Sequence, residues 1–283
     1  MAECGVTLAE QFEALRPRLL RIAYGQLGSV AEAEDVLQDA WLRLERVDTD
    51  AIRDLDAWLI TTVSRLGLDA LKSARVRREA YVGPWLPEPI VSAEPGPEEV
   101  ALRGDEVSLA LLVVLESLSA SERTAFVLHD VFGYSFDEVA TTLGTSAVAA
   151  RQQAARARKA VEARRPRFPA TAEQQREIIT AFGQATAEGD LDGLLALLHP
   201  DAVLTSDGGG KVNAARKPVA GAERVAKAVT ALGRGAAMAF VDVNGMPGLA
   251  GHGRDGIHSI VAFTIDDGRI TRIDFQRNPE KLR

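Results

Sequence analysis

Residues 118–165 read LSASERTAFVLHDVFGYSFDEVATTLGTSAVAARQQAARARKAVEARR, and this stretch predicts a helix-turn-helix. Ser119 or Ser121 can cap a first helix whose apolar face is Ala125, Phe126, Leu128 and Phe132. Gly133 ends it, because glycine alone takes a left-handed cap without a Cβ penalty. Ser135-Phe-Asp-Glu138 forms a capping box, in which the hydroxyl takes an orphan N–H and the glutamate reaches back. Val139, Ala140 and Leu143 then face inward, and Gly144 makes the turn. Thr145 or Ser146 opens a last helix with Arg151, Gln152, Arg156, Arg158 and Lys159 set among alanines. Small residues on its inner face allow close packing. Arginine and glutamine on the outer face are the side chains that read base edges and phosphates in a major groove.

The rest of the composition limits what such a motif serves. The chain has 283 residues, long enough for about two domains. Hydrophobic residues make up 46% and the net charge is −7, so any contact with nucleic acid is local and part of the acidic surface is free for a protein partner. Cys4 is the only cysteine, which excludes a disulfide framework and a cysteine-based metal site. No run approaches the ~18 apolar residues of a membrane span, and the N-terminus lacks a basic-then-apolar signal. A soluble, cytoplasmic protein is expected.

Upstream, residues from about Leu8 to Leu44 form two amphipathic helices broken at Gly28-Ser29. The second places Val36, Leu37, Ala40, Trp41 and Leu44 inward, and Glu32, Glu34, Asp35, Gln38 and Asp39 outward. From Arg53 to Arg78 runs an apolar helix (Trp58, Leu59, Val63, Leu66) that turns basic at Arg65, Lys72, Arg75, Arg77 and Arg78. An acidic helix followed by one with a basic end suggests two binding faces on one bundle.

These motifs, Ala33-Glu-Asp35-Val-Leu-Gln38-Asp39-Ala-Trp41-Leu42, then Ala57-Trp58-Leu59 through Asp69-Ala-Leu71-Lys72, then the helix-turn-helix, resemble regions 2 and 4 of extracytoplasmic-function (ECF) sigma factors. The resemblance implies that Asp35, Gln38, Asp39, Trp41 and Leu42 dock on the β′ clamp helices of core RNA polymerase. It implies that Arg53, Trp58, Arg65, Asp69, Lys72 and Arg75, with the loop from Asp48 to Asp54, engage the −10 element. Ser146, Arg151, Gln152, Arg156, Arg158 and Lys159 would read the −35 element, with the β flap as a second polymerase contact.

Between these regions, Tyr81 to Val100 holds five of the twelve prolines. Proline fixes φ and cannot donate to a ladder, so an extended linker is expected. Trp85, Leu86 and Pro87 are costly to leave in water, which makes Trp85-Leu-Pro-Glu-Pro89 a docking peptide for another part of the chain. After Pro169 the composition shifts. Helices are expected over Thr171–Leu198, broken at Gly189-Asp190, and over Gly221–Leu232; strands are expected from His199 and over 237–243, 256–265 and 269–276, with Asp266-Asp-Gly268 as a hairpin turn. That order resembles the NTF2-like, SnoaL-type cone. Asp207-Gly208-Gly209-Gly210-Lys211 and the terminal Asn278-Pro279-Glu-Lys-Leu282 also stand out, and the three glycines allow close backbone approach by Trp85 or by a ligand.

The combination resembles the ECF sigma group with a fused SnoaL-like extension. The expected fold is multidomain: two all-α sigma domains (1–80 and 105–166), a proline-rich linker (81–104) and an α+β NTF2-like domain (170–283). The expected function is promoter-specific transcription initiation, regulated in cis by the C-terminal domain through the linker and sigma domains. A small-molecule ligand in the C-terminal pocket is a further partner that such a cone accommodates. His199, Asp201, Asp207, Asp242, His252 and His258 are the acid–base candidates of that domain, but nothing in the sequence makes them converge, so no enzyme, cofactor or metal is expected. The other class that fits these residues is a ligand-sensing regulator that binds DNA without core polymerase.

Overall fold

The computed structural model describes residues 7–48, 51–92, 107–233, 237–252 and 258–282, without the side chains of 75–77, 79, 252 and 258. The chain divides into two compact units: residues 1–77 with 115–163, and residues 78–114 with 164–283. The division does not follow chain order, since the segment 78–114 belongs with the C-terminal part.

The first unit is all-helical. Helix α1 (Leu8–Leu27) starts with a capping box at Thr7 and Glu10 and stops at Gly28, which is left-handed at φ 70°. Ser29 then caps α2 (Val30–Leu44), and α3 (Leu55–Glu79) follows. Leu19, Ile22, Leu37, Leu44, Leu59 and Val63 are fully buried among them. After α4 (Leu109–Leu115), which apart from Leu115 falls in the second unit, comes α5 (Ala120–Phe126), whose capping box is Ser119 with Glu122. Helix α5 runs on as a π turn, Val127–Val131. Helix α6 (Phe136–Leu143) has the expected Ser135–Glu138 box and left-handed Gly144, and α7 (Ala147–Glu162) is capped by Ser146. Inward residues of α6 include Thr142 as well as Val139 and Ala140.

The second unit is α+β. Helices α8 (Ala172–Glu188), α9 (Leu191–Leu197) and α10 (Ala222–Gly233) cover a seven-stranded sheet. Its strands are β1 (Val91–Ser92), β2 (Leu198–Asp207), β3 (Val219–Ala220), β4 (Ala237–Val243), β5 (Met246–His252), β6 (His258–Asp266) and β7 (Arg269–Gln276), in the order β1-β4-β5-β6-β7-β2-β3. Only β2 with β7 is parallel. Ile179, Phe182, Leu194, Leu204, Val225, Leu249, Val261, Ile273 and Phe275 form the core between helices and sheet, and Phe182 meets Phe263 edge-on at 5.0 Å.

Three strands lie outside the sequence expectation, the short β3 (Val219–Ala220) that pairs with β2 being one. Strand β5 is entered through Asn244 (φ 52°) and Gly245 (φ 78°), the left-handed pair of a tight hairpin. Strand β1 belongs to the linker: Val91 pairs with Val243 and Ser92 with Asp242, so the proline-rich segment ends as an edge strand. Pro95 and Pro97 fall outside the described residues.

Candidate nucleic-acid interface

In α7 the alanines decide the geometry. Ala150, Ala154 and Ala157 are completely buried, which brings the helix close to its neighbours and turns the long side chains out. Val148, Arg151, Gln152, Ala155 and Lys159 share one exposed face at spacings of three and four. Arg151 lies over the Phe136 ring at 4.9 Å, and His129 stacks on the same ring at 3.8 Å. Arg156 and Arg158, on the flanks, are engaged within the unit. Arg156 Nε donates to Glu122 at 2.6 Å and Arg158 Nε to Asp130 at 2.8 Å. The Arg156 guanidinium holds the Glu122 carboxyl below its ordinary range. Ser146 accepts from the Ala149 N–H at 3.2 Å, so its hydroxyl is occupied as the cap.

On α2, Asp35, Gln38, Asp39 and Leu42 form one exposed stripe, with Leu42 39% accessible. Trp41 is half-buried and meets Phe12 edge-on at 5.1 Å. With Glu34, Leu37 and Gln38 it lines a groove of about 440 Å³ against α1.

The expected −10 residues are more dispersed. Arg53 is exposed and Trp58 half-buried. Asp69 and Lys72 pair with each other at 3.1 Å, both largely exposed. Arg65 points elsewhere: its Nη2 donates to the Thr141 carbonyl of α6 at 2.6 Å. The Arg75 side chain, and residues Thr49 and Asp50 of the loop, lie outside the described residues.

Arg65 is one strut of a larger contact between α1–α3 and α5–α7. Gln26, fully buried, donates from Nε2 to the Ser64 carbonyl at 3.2 Å and to Thr124 Oγ1 at 3.1 Å. Arg123, 1% exposed, donates from Nε to the Gly25 carbonyl at 3.2 Å and pairs with Glu116. A Cβ on Gly67 would sit 2.4 Å from Gln26 Oε1, so a larger residue there would displace the end of that side chain. Yet Gln26 Oε1, Ser64 Oγ, Arg123 Nη2 and Tyr134 Oη are buried with no hydrogen-bond partner. A crevice of about 230 Å³ remains beside Arg18, Ile60, Leu128 and Tyr134.

In the second unit, the linker lies in a cradle centred on Asp207, which is completely buried. Its Oδ1 accepts from Tyr81 Oη at 2.7 Å and from the Gly209 N–H at 2.9 Å. Its Oδ2 accepts from the Leu86 N–H at 2.9 Å and from Lys281 Nζ at 2.7 Å. Lys281 also donates to the Leu86 carbonyl at 2.7 Å, so both backbone groups of Leu86 are held. Gln276 Nε2 donates to the Pro87 carbonyl at 3.3 Å, and Asn278 Nδ2 to Tyr81 Oη at 2.8 Å. Burial, then the Asp207 carboxylate, push the Tyr81 phenol well above its ordinary value.

The expectation that Trp85 lies against the glycines is corrected. Gly210 is approached by Val82 and Gly209 by Asn278: an added Cβ would meet Val82 at 3.0 Å and the Asn278 amide nitrogen at 2.5 Å. Trp85 stands instead between two cations, the Arg78 guanidinium at 3.4 Å and Lys281 Nζ at 4.1 Å from its ring centre. Gly208 is hemmed in by Ala214 and Val212, Lys211 pairs with Glu280, and Pro279 opens the short 3₁₀ turn that aims Lys281. Tyr81 and Gln276 were not marked in the sequence; Arg78 was noted only within a basic helix end and Lys281 only within the terminal Asn278–Leu282 stretch. Further on, Asn244 accepts from the Ile90 N–H at 3.0 Å and its own N–H donates to the Ile90 carbonyl at 2.9 Å.

Of the acid–base candidates, Asp207 serves the cradle, Asp242 accepts from the Gly245 N–H at 2.9 Å, and His199 Nδ1 accepts from the Asp201 N–H at 3.1 Å. The side chains of His252 and His258 fall outside the described residues. Among the described residues no cluster of histidine, cysteine and acidic side chains fits a metal, and no helix is long and apolar enough to cross a membrane.

The helical elements define a sigma-70-type protein: the family model for Sigma-70 region 2 matches residues 11–77, and that for Sigma-70 region 4 matches residues 108–161. Over almost its whole length the chain is similar to the ECF RNA polymerase sigma factor SigJ of Mycobacterium tuberculosis (strain ATCC 25618 / H37Rv), with 42% identity over 96% of this chain and 92% of the relative. A probable ECF RNA polymerase sigma factor, SigI, from the same strain is 34% identical over 96% of this chain and 93% of its own length. The crystal structure of M. tuberculosis SigJ superimposes with a TM-score of 0.78 at 39% identity, covering 97% of this chain and 98% of that one. The chain belongs to the ECF RNA polymerase sigma factors, the proteins that direct core polymerase to particular promoters.

Proposed function

We propose that this sigma factor is regulated in cis: the C-terminal domain grips the linker and so governs whether regions 2 and 4 can separate. The observation that carries the reading is the Asp207–Lys281 grip on both backbone groups of Leu86. Elements centred at −10 and −35 lie roughly 85 Å apart along the duplex, at 3.4 Å per base pair. Region 2 and region 4 touch through Gln26 and Thr124, so reading both elements requires that contact to open. A linker bound from Tyr81 to Ser92 leaves less free chain for the opening.

In this reading residues 1–80 and 105–166 act as region 2 and region 4, 81–104 as the tether and 170–283 as its regulator, in the cytoplasm with the transcription apparatus. The stripe Asp35, Gln38, Asp39, Leu42, flanked by Trp41, docks on core polymerase. Arg53, Trp58, Lys72 and Arg75 work at the −10 element, joined by Arg65 once it leaves Thr141. Arg151, Gln152 and Lys159 read the −35 element, and Arg156 and Arg158 hold the reading helix to the rest of its domain. Catalysis and a bound ligand have no part in it.

The test is run-off transcription with purified core polymerase, comparing the full chain with Asp207→Asn. Release of the linker should raise initiation; equal or lower initiation by a folded variant refutes the cis restraint. A promoter fragment shifted by the chain without core enzyme would favour the stand-alone regulator instead.

A further inference from the structure

Valine at position 148 has no structural reason to be apolar. The residue is 62% exposed, whereas Ala150, Ala154 and Ala157 of the same helix are completely buried. It stands in the first turn of the helix, just after the Ser146 cap, and the first turns of a recognition helix are the part that meets base edges. It also lies on the face that carries Arg151, Gln152, Ala155 and Lys159. The two other arginines of the helix are tied to Glu122 and Asp130, which leaves this face as its outward polar surface with an isopropyl group at the leading end.

We propose that Val148 is a specificity residue of region 4 that packs on the C5-methyl group of a thymine in the −35 element. The inference rests on the reading of α7 as the −35 helix and adds to it one base and one atom group. In the major groove only thymine presents a methyl, and an apolar side chain is its natural partner. Arg151 and Gln152, one turn further on, supply hydrogen-bonding groups suited to guanine and adenine, so the face as a whole distinguishes base types by two different chemistries.

Deoxyuridine differs from thymidine only by that methyl, which makes the test direct. A −35 element is first selected from a randomised promoter library with the full chain and core polymerase, and open-complex formation is then measured with each thymine replaced in turn by deoxyuridine. The wild-type protein should lose about fourfold at one position, the equivalent of one buried methyl. Val148→Ser should show a similar loss on the intact promoter, no further loss at that position, and unchanged sensitivity to a substituted guanine. A selected element without thymine, or a Val148→Ser protein that retains the fourfold response to deoxyuridine, overturns the proposal. Arg151→Ala separates this from the underlying reading: if that variant keeps the −35 preference of the wild type, α7 is not the reading helix at all. Because Val148 is exposed, Val148→Ser should keep the wild-type circular-dichroism melting curve, which excludes a folding defect as the cause.

Discussion

The contact between regions 2 and 4 and the cradle around the linker are both buried and both polar, but they are satisfied to different degrees. Asp207 has four close donors on its two oxygens, and Lys281 divides itself between that carboxylate and a backbone carbonyl. At the contact between regions, Gln26, Ser64, Arg123 and Tyr134 each leave a buried atom without a partner. A buried polar group that finds no partner costs roughly 1–3 kcal/mol, whereas a fully connected network rigidifies its surroundings. The cradle is therefore the better satisfied of the two surfaces. On the function proposed above, the contact between regions is the one that opens and the cradle the one that stays closed.

The sharpest way to break the comparison is to remove the centre of the cradle. Asp207→Ala removes the buried carboxylate that pairs with Lys281 and accepts from Tyr81, Leu86 and Gly209, and should cost about 3–5 kcal/mol in urea unfolding of the C-terminal unit. It should also open the linker to proteolysis between Arg78 and Ile90. A cost below ~1 kcal/mol would place the cradle on the same footing as the contact between regions.

Next is Gly209→Ala. The position combines a φ of +62° with Asn278 in the space a Cβ needs, so a loss of about 1–3 kcal/mol is expected by thermal unfolding. Gly144→Ala, where φ is +63° but the space is open, should cost less by the same measurement.

Tyr81→Phe removes two hydrogen bonds of the cradle and should cost about 1–2 kcal/mol near neutral pH, measured by denaturant titration. The same residue sets a pH limit. Its folded pKa is raised above the ordinary 10.0, so the native state holds the phenolic proton more firmly than the unfolded chain. Its contribution is complete below about pH 10 and fades as the pH rises from there through the raised value. Stability of the wild type should fall more steeply with alkaline pH than that of Tyr81→Phe.

The smallest effect is expected at the contact between regions, with the opposite sign within reach. Gln26→Leu deletes an unpartnered oxygen along with two hydrogen bonds, so the net change should lie within ~1 kcal/mol of zero. A loss of 3 kcal/mol would show that this contact, too, is made to hold.

Much of the first unit was legible because its signals are local. Ser119, Ser135, Ser146, Gly28 and Gly144 act within one turn of their own helix, and a capping hydroxyl or a left-handed glycine means the same in any surroundings. The hairpin into β5 carries an equally local signal, Asn244-Gly245, but a strand was expected only before it, over 237–243, and none directly after. The π turn at Val127–Val131 had no such signal. The WLPEP stretch and the DGGGK loop were both marked as unusual, and the two do meet, but the pairing came out differently: Trp85 met cations and the glycines met Val82 and Asn278.

The sequence by itself determined every helix but α4, most of their caps, the exposed stripes on α2 and α7, and the docking character of the linker, because periodicity and capping are properties of a few neighbouring residues. Only the tertiary structure decided that Asp207 and Lys281 grip Leu86, that Arg65 is spent on Thr141, that Arg156 and Arg158 brace α7, and that segment 78–114 belongs with the C-terminal unit. Those partners lie from 28 to 195 residues apart in the chain, and at that distance nothing in a local pattern records which donor will find which acceptor.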